Sequence, residues 1–191
     1  MVSVSSKKIN GIWFALALDG QQRLIACSFS DRNRRGAVKA VMETISTHNI
    51  KTQDDGSIAR AWFQKLHDIY MGKGNSELKS YDVSWVSDFR KKVYRTLLKI
   101  PRGRVTTYSA IAKKLVSRRH ARAVGTAVAR NPLPLLIPCH RVLPVSLKVC
   151  NYGMPGRKPS QGAYVKRGLL EREGVKVSRY KVSKRSLWYP K

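Results

Sequence analysis

The first half of the chain carries hydrophobic patterns of two periods. Residues 11–30, GIWFALALDGQQRLIACSFS, form two apolar runs around Asp19-Gly20, which predicts two strands joined by a turn. Two later segments, 34–49 and 57–74, predict helices because apolar residues recur in them at helical spacing: Val38, Val41, Met42 and Ile45, then Ile58, Trp62, Leu66 and Ile69. We therefore expect an α/β domain over residues 1–80. The polar stretch 75–85 has the character of a linker, with 81–86 as the boundary segment.

The second half shows short helical patterns with many basic residues. Residues 87–100 predict a helix with Ser87 as its N-cap, ended by Pro101. Residues 108–116 and 121–130 predict two short helices across the polar break SRRH. This spacing fits a helix-turn-helix, and it fits equally a helical hairpin that only packs a core. We expect a second, mainly helical domain over residues 87–175.

Residues 176–191 form a basic, aromatic tail with two possible roles. It either lengthens a nucleic-acid-binding surface or packs on the first domain through Trp188 and Tyr189.

Charge narrows the class of partner. Lys and Arg number 38 against 11 Asp and Glu, which gives a formal net charge of +27. A field this positive attracts polyanions, and neutralising phosphates releases counterions, so nucleic acid is the expected partner. The alternative, a surface kept soluble by lysine, usually comes with matching Glu, which is scarce here.

The sequence shows no run long enough to span a bilayer and no signal-peptide core in residues 1–10. We expect no membrane association and a cytoplasmic location, with the protein on the nucleoid in a prokaryote or in the nucleus of a eukaryote. Three cysteines without a CxxC pair indicate reduced thiols, and we expect neither a metal site nor a cofactor.

A Cys and a His stand side by side in RNPLPLLIPCHRV, residues 130–142. Three prolines keep this segment near extended geometry, so it holds Cys139 on a stiff tether after the second short helix. Successive side chains of an extended segment point to opposite faces. Cys139 and His140 are therefore not expected to form a direct hydrogen-bonded pair.

Three segments, RVTTYSAIA, ARAVGTAVARNPLPLLIPCHRV and GLLEREGV, resemble the O6-alkylguanine-DNA alkyltransferases. The resemblance covers residues 87 to about 175. It implies a ribonuclease-H-like N-terminal domain, a winged-helix-like C-terminal domain and a monomer. It also implies repair of O6-alkylguanine in duplex DNA, with O4-alkylthymine as a further candidate, by irreversible transfer of the alkyl group to the protein's own cysteine after base flipping.

The same resemblance assigns roles to residues. Cys139 matches the alkyl acceptor, His140 the base acting through a water, and Glu173 the carboxylate that orients the imidazole. Other matches concern the substrate: Asn131 as the hinge residue, Tyr108 as the residue that contacts the base and helps guanine leave, and Val142, Tyr152 and Gly153 as the pocket. The residues expected to contact DNA are Arg122, Thr106, Ala121, Gly125, Arg130 and Arg141.

Two departures and three alternatives stay open. The loop 149–167 is longer than in the family and contains Cys150, a second thiol, and Gly153 stands where the family often has serine. A lesion-binding protein without transfer requires an inert Cys139. A helix-turn-helix regulator lacks a visible dimerisation element, and a cysteine hydrolase lacks a separate His and Asn or Asp pair.

Overall fold

The computed structural model describes residues 2–46, 58–74, 81–153 and 158–191 and shows a mixed α/β protein. The chain divides into two units. The first contains residues 1–70, 74–85 and 132–136, and the second contains residues 71–73, 86–131 and 137–191. Residues 132–136, which the sequence places in the second domain, thus belong to the first unit.

The described part of the first unit is built on an antiparallel sheet. Its strands are β1 (Ser3–Ile9), β2 (Ile12–Leu18) and β3 (Leu24–Ser30), in the order β1-β2-β3. The predicted hairpin at Asp19 is confirmed, and the Asp19 carboxylate accepts hydrogen bonds from the backbone of Gln21 and Arg23. β1 was not predicted. It joins β2 through Asn10-Gly11, whose positive φ angles of 46° and 83° suit a two-residue hairpin turn.

Helices cover both faces of this sheet. The helix α1 (Arg34–Thr44) packs Ala37 and Val41 with Ala15 and Ala17. The helix α2 (Ile58–Tyr70) places Tyr70 against Phe14, with ring centroids 6.0 Å apart. Because both faces are covered, β3 is buried along its whole length, and its polar Ser28 is satisfied by a hydrogen bond to the Ala37 carbonyl.

Residues 81 and 82 pair with β3. Tyr81 forms a bridge to Leu24, and the Asp82 amide donates to the Leu24 carbonyl. The earlier part of the expected linker, residues 75–80, lies outside the described residues.

The second unit contains the predicted short helices. These are α3 (Asp88–Leu98), α4 (Tyr108–Leu115) and α5 (Ala121–Ala129). A fourth helix, α6 (Pro159–Arg172), was not predicted, and it occupies the second half of the loop that the sequence analysis expected over residues 149–167. A turn of 3-10 helix, Arg118–His120, separates α4 from α5. Ser87 stands at the N-cap of α3 as predicted, but its side chain makes no capping hydrogen bond. Thr107 does cap α4, because its hydroxyl accepts from the Ala110 amide at 3.1 Å.

Short strands complete the second unit. The strand β4 (Thr106–Thr107) pairs in parallel with β5 (Val142–Leu143), and β6 (Val177–Ser178) forms a hairpin with β7 (Lys181–Val182).

The C-terminal tail packs on the second unit. Val105 donates to the Ser186 carbonyl at 2.9 Å, and Trp188 donates to the Val105 carbonyl at 2.8 Å. The backbone of the tail is therefore paired within the second unit, and Tyr189 is 64% exposed. Packing of the tail on the first domain through Trp188 and Tyr189 stays a prediction.

Candidate active site

Cys139 begins a turn of 3-10 helix, Cys139–Arg141, directly before β5. The expectation of an extended segment at this point is wrong. Pro138, with φ −77° and ψ 64°, bends the chain, so the Cys139 amide donates to Ile137 and the Arg141 amide to Pro138. Leu135 adopts a φ of 75°, a left-handed conformation that costs a non-glycine residue about 1–2 kcal/mol. Turn chemistry, and not extension alone, therefore sets the position of the thiol.

Asn131 closes this segment from its other end. Its side-chain amide Nδ2 donates to the Ile137 carbonyl at 2.8 Å, six residues further along the chain. The bond joins the end of α5 to the residue two before Cys139. The expected role of Asn131 as a hinge residue stays a prediction.

The imidazole of His140 is held by a buried carboxylate. His140 Nε2 lies 2.9 Å from Glu173 Oε1, and the side chains are 1% and 5% exposed. Glu173 stands at the C-cap of α6, ahead of Gly174, whose φ of 87° ends the helix. Among the described residues, His140 Nδ1 is buried and has no hydrogen-bond partner. Glu173 therefore holds Nε2 of the imidazole ring, and Nδ1 is the nitrogen that can exchange a proton.

Arg141 secures the same carboxylate. Its Nε donates to Glu173 Oε2 at 2.8 Å, its Nη2 to Oε1 at 2.7 Å, and its Nη1 to the Ile100 carbonyl at 2.6 Å. Burial alone would raise the pKa of Glu173, but the charge and hydrogen bond of His140, together with Arg141, outweigh it and lower the pKa to about 2. Glu173 is thus held as an anion.

Two of the cysteines, Cys139 and Cys150, each lie near a tyrosine hydroxyl. Cys139 is 6% exposed, and its Sγ lies 3.5 Å from the Tyr152 hydroxyl. Tyr108, the first residue of α4, has its hydroxyl 3.9 Å from Cys150 Sγ. Burial raises the pKa of Tyr108, and the neighbouring Cys150 and Cys139 add to the rise, so its hydroxyl keeps its proton.

A buried lysine completes this cluster, and sequence reasoning missed it. Lys166, on α6, is 2% exposed, and its Nζ donates to the Val142 carbonyl at 2.7 Å and to Cys150 Sγ at 3.4 Å. Burial lowers the pKa of Lys166, while the nearby thiols oppose that shift. Because the chain has 38 Lys and Arg residues, the sequence alone did not indicate that this lysine is buried.

The remaining pocket residues differ in their placement. Val142 is fully buried, Tyr152 is 8% exposed and Gly153 is exposed. Residues 154–157, the middle of the long loop, lie outside the described residues.

The residues expected to contact DNA fall into two groups. Arg122 and Arg130 are exposed at the two ends of α5, and Ala121 and Gly125 are half-buried on the same helix. A Cβ added at Gly125 would meet no atom within 4 Å, so this side of α5 is open.

Thr106 and Arg141 belong to the interior. Thr106 is fully buried, and every donor nitrogen that Arg141 uses is directed to Glu173 or Ile100. These positions do not fit the expected DNA contact, since a charged group committed to a buried carboxylate cannot also neutralise a phosphate.

Tyr94 fixes the end of α5, and it too was not singled out from sequence. Its hydroxyl reaches the carbonyl oxygens of Ala127 at 3.0 Å and Arg130 at 2.8 Å. A buried phenol from α3 thus satisfies the last turn of α5, the turn directly before Asn131.

No helix among residues 2–46, 58–74, 81–153 and 158–191 has the length and apolar character needed to cross a membrane.

Comparisons with known proteins identify the family of this chain. A family model described as the DNA-binding domain of 6-O-methylguanine DNA methyltransferase matches residues 88–175. A methylated-DNA–protein-cysteine methyltransferase of Thermococcus sibiricus is 36% identical over 175 residues, which is 90% of this chain and 86% of the relative.

Solved structures show the same similarity. The O6-methylguanine-DNA methyltransferase of Pyrococcus kodakaraensis matches with a TM-score of 0.68 and 29% identity, over 92% of this chain and 100% of its own. A Mycobacterium tuberculosis relative solved in complex with DNA matches with a TM-score of 0.60 and 28% identity, over 90% of this chain and 91% of its own.

Proposed function

We propose that this chain, which belongs to the methylated-DNA–protein-cysteine methyltransferase family, transfers the alkyl group of O6-alkylguanine in duplex DNA to Cys139. Family membership gives the activity class: a DNA repair protein that moves an alkyl group onto a cysteine. The role of each residue, base flipping and the single turnover are our proposal.

The first step is activation of the thiol. His140 takes the Cys139 proton at Nδ1 through a water molecule, while Nε2 remains on Glu173 at 2.9 Å. The carboxylate stabilises the imidazolium that forms, and the two Arg141 bonds keep the carboxylate oriented. Arg141 thus positions Glu173 and does not touch the substrate.

The second step is displacement at carbon. The Cys139 sulfur attacks the alkyl carbon in line, the bond from that carbon to O6 breaks, and the electron pair leaves with guanine. Guanine is a poor leaving anion, so the Tyr108 hydroxyl donates a proton to it. The product is a thioether, which thiol exchange does not reverse, so each molecule acts once.

Access to O6 requires the nucleotide to leave the duplex, because O6 takes part in base pairing. We propose that α4 and α5 act as a helix-turn-helix whose open α5 surface faces the DNA. Exposed Arg122 then fills the place of the flipped base, offsetting an unstacking cost of a few kcal/mol. Gly125 and Ala121 let the backbone approach, and Arg130 meets phosphate.

The net charge of +27 supplies the sequence-independent part of DNA binding. The first unit, with its sheet between α1 and α2, we propose to be the ribonuclease-H-like domain of the family.

The observation that carries the proposal is a buried group of four residues: Cys139, His140, Arg141 and Glu173. The turn that begins with the Cys139 thiol also contains His140 and Arg141, and both of these contact the Glu173 carboxylate, which is held as an anion. Incubation with O6-benzylguanine followed by intact mass and peptide mapping tests it. The wild type should gain one benzyl group, on Cys139, and Cys139→Ser none.

Cys150→Ser is the matched control for the acceptor and should still reach one benzyl group per protein at completion. Binding of duplex containing O6-methylguanine with no mass increase would show a lesion-binding protein instead. Label on Cys150 alone would overturn the assignment of the acceptor.

A further inference from the structure

We propose that Cys150 and Lys166 form a proton-supply line for Tyr108. Cys150 replaces the proton that Tyr108 gives to the departing guanine, and Lys166 stabilises the thiolate that remains. This rests on the proposed role of Tyr108 as proton donor. Cys150 then acts on the proposed reaction through Tyr108, as the donor of a proton, and is not a second alkyl acceptor.

The three groups are arranged in order. The Tyr108 hydroxyl lies 3.9 Å from Cys150 Sγ, and Cys150 Sγ lies 3.4 Å from Lys166 Nζ. The ammonium is anchored at its far side by the Val142 carbonyl at 2.7 Å. Burying a lysine costs folding free energy, because the ammonium loses its hydration. We therefore infer that Lys166 has a function at this position.

Relative acidity explains why a thiol is useful at this place. A buried phenolate would be a poor final carrier of negative charge, and burial already raises the pKa of Tyr108. Thiols are stronger acids than phenols by roughly 1.5 pKa units in water. A thiolate beside a buried ammonium is therefore a better place for the charge than the tyrosine oxygen.

Protons and charge balance along this line. The bond from Cys139 sulfur to the alkyl carbon forms, the carbon–O6 bond breaks, and guanine takes the Tyr108 proton. The Tyr108 oxygen takes the S–H proton of Cys150, and the resulting thiolate pairs with the Lys166 ammonium. The negative charge that begins on Cys139 thus ends on Cys150, without an added reactant.

The test uses Cys150→Ser and Cys150→Ala with two kinds of alkyl donor. O6-benzylguanine releases a purine that needs a proton, whereas iodoacetamide releases iodide, which needs none. Both variants should transfer benzyl to Cys139 about tenfold more slowly, a modest share of what general acids contribute. Alkylation of Cys139 by iodoacetamide, followed by peptide mapping, should proceed at the wild-type rate.

The serine variant separates acidity from shape. Serine keeps the size and a hydroxyl but is a far weaker acid, so a wild-type rate in Cys150→Ser would overturn the proposal. Equal losses with benzylguanine and iodoacetamide would also overturn it, because they would mean a distorted site. Cys27→Ser, which removes a buried thiol of the first unit that donates to Pro134, serves as the control for thiol loss.

A change of leaving group gives an independent readout. O6-benzyl-8-bromoguanine releases a less basic purine, so the defect of Cys150→Ala should shrink with it. An unchanged defect would count against proton supply. If the wild type failed to take benzyl on Cys139 at all, the proposed function itself would fail, which is distinguishable from failure of the supply line.

Discussion

Replacing Glu173 with Gln should remove stability in a pH-dependent way. Glutamine keeps the shape of the side chain and one acceptor oxygen, but it removes the charge that faces His140 and Arg141 at 2.7–2.9 Å. The pKa of Glu173 is lowered from 4.5 to about 2. A shift of that size is worth roughly 3 kcal/mol of folding free energy when the group is ionised.

The sign of the pH dependence follows from the direction of that shift. Because the folded-state pKa is depressed, the contribution is fully present above about pH 4.5 and is lost as the pH falls towards 2. The stability difference between wild type and Glu173→Gln should therefore be roughly 3 kcal/mol at pH 6 and decline to near zero at pH 2. The other acidic residues are present in both proteins and cancel in the difference.

Urea unfolding at pH 6, 4.5, 3 and 2, with both proteins at one ionic strength, measures this difference. Glu171→Gln is the matched control on the same helix, because Glu171 pairs with Arg167 at 2.8 Å while both side chains are 39% exposed. An exposed pair is worth about 0–1 kcal/mol. A difference that stays constant from pH 6 to pH 2, or an equal loss in Glu171→Gln, would refute the reasoning.

Three further predictions follow from packing and exposure. Gly162→Ala should lower both stability and transfer to Cys139, because the added Cβ would collide with Asn151 and with the Tyr152 backbone. Gly168→Ala, where the nearest atom lies 3.6 Å away, should be neutral or stabilising. Thermal melting and benzyl transfer to Cys139 measure both variants. Tyr94→Phe should cost about 1–2 kcal/mol by urea unfolding, because the Ala127 and Arg130 carbonyl oxygens lose the Tyr94 hydroxyl and only the Arg130 carbonyl keeps another donor, Arg90 Nη2; an unchanged stability would mean that water replaces the hydroxyl. Arg122→Ala should slow repair of methylated duplex far more than reaction with free benzylguanine, since a free base leaves no gap in a stack; equal losses would assign Arg122 to the pocket or the fold.

Secondary structure could be predicted where the pattern and the local chemistry agree. The helices α3, α4 and α5 begin and end within one or two residues of their predicted limits, because their apolar residues recur at helical spacing between polar breaks. The helix α6 was missed, because its first residues were assigned to the loop 149–167. The strand β1 was missed because SVSSKKI lies at the edge of the sheet and keeps a partly exposed face, so it lacks an apolar run. Asn10-Gly11 was the available signal for it.

Some residues of the candidate site could be predicted from the sequence, and others could not. The Cys139 and His140 positions came from a local motif, and Glu173 from a resemblance, and the structure brings His140 and Glu173 within hydrogen-bond distance. The inward orientation of Arg141 and Lys166 could not be predicted, because it depends on partners 32 and 24 residues away in the sequence. A positive charge in the sequence does not show whether it faces a phosphate or a buried acceptor.

This distinction changes how the net charge of +27 bears on function. Among the basic residues near Cys139, Arg141 is directed to Glu173 and Lys166 to Val142 and Cys150, so neither neutralises phosphate. Both charges are buried, where a low dielectric strengthens each interaction. In our proposal, Arg141 orients the carboxylate that holds His140, and Lys166 stabilises the thiolate of Cys150. In our proposal, contact with DNA falls instead to exposed arginines such as Arg122 on α5. Substitutions of the buried cations should therefore alter the rate of transfer with little effect on the salt dependence of DNA binding, and substitutions on α5 should do the reverse.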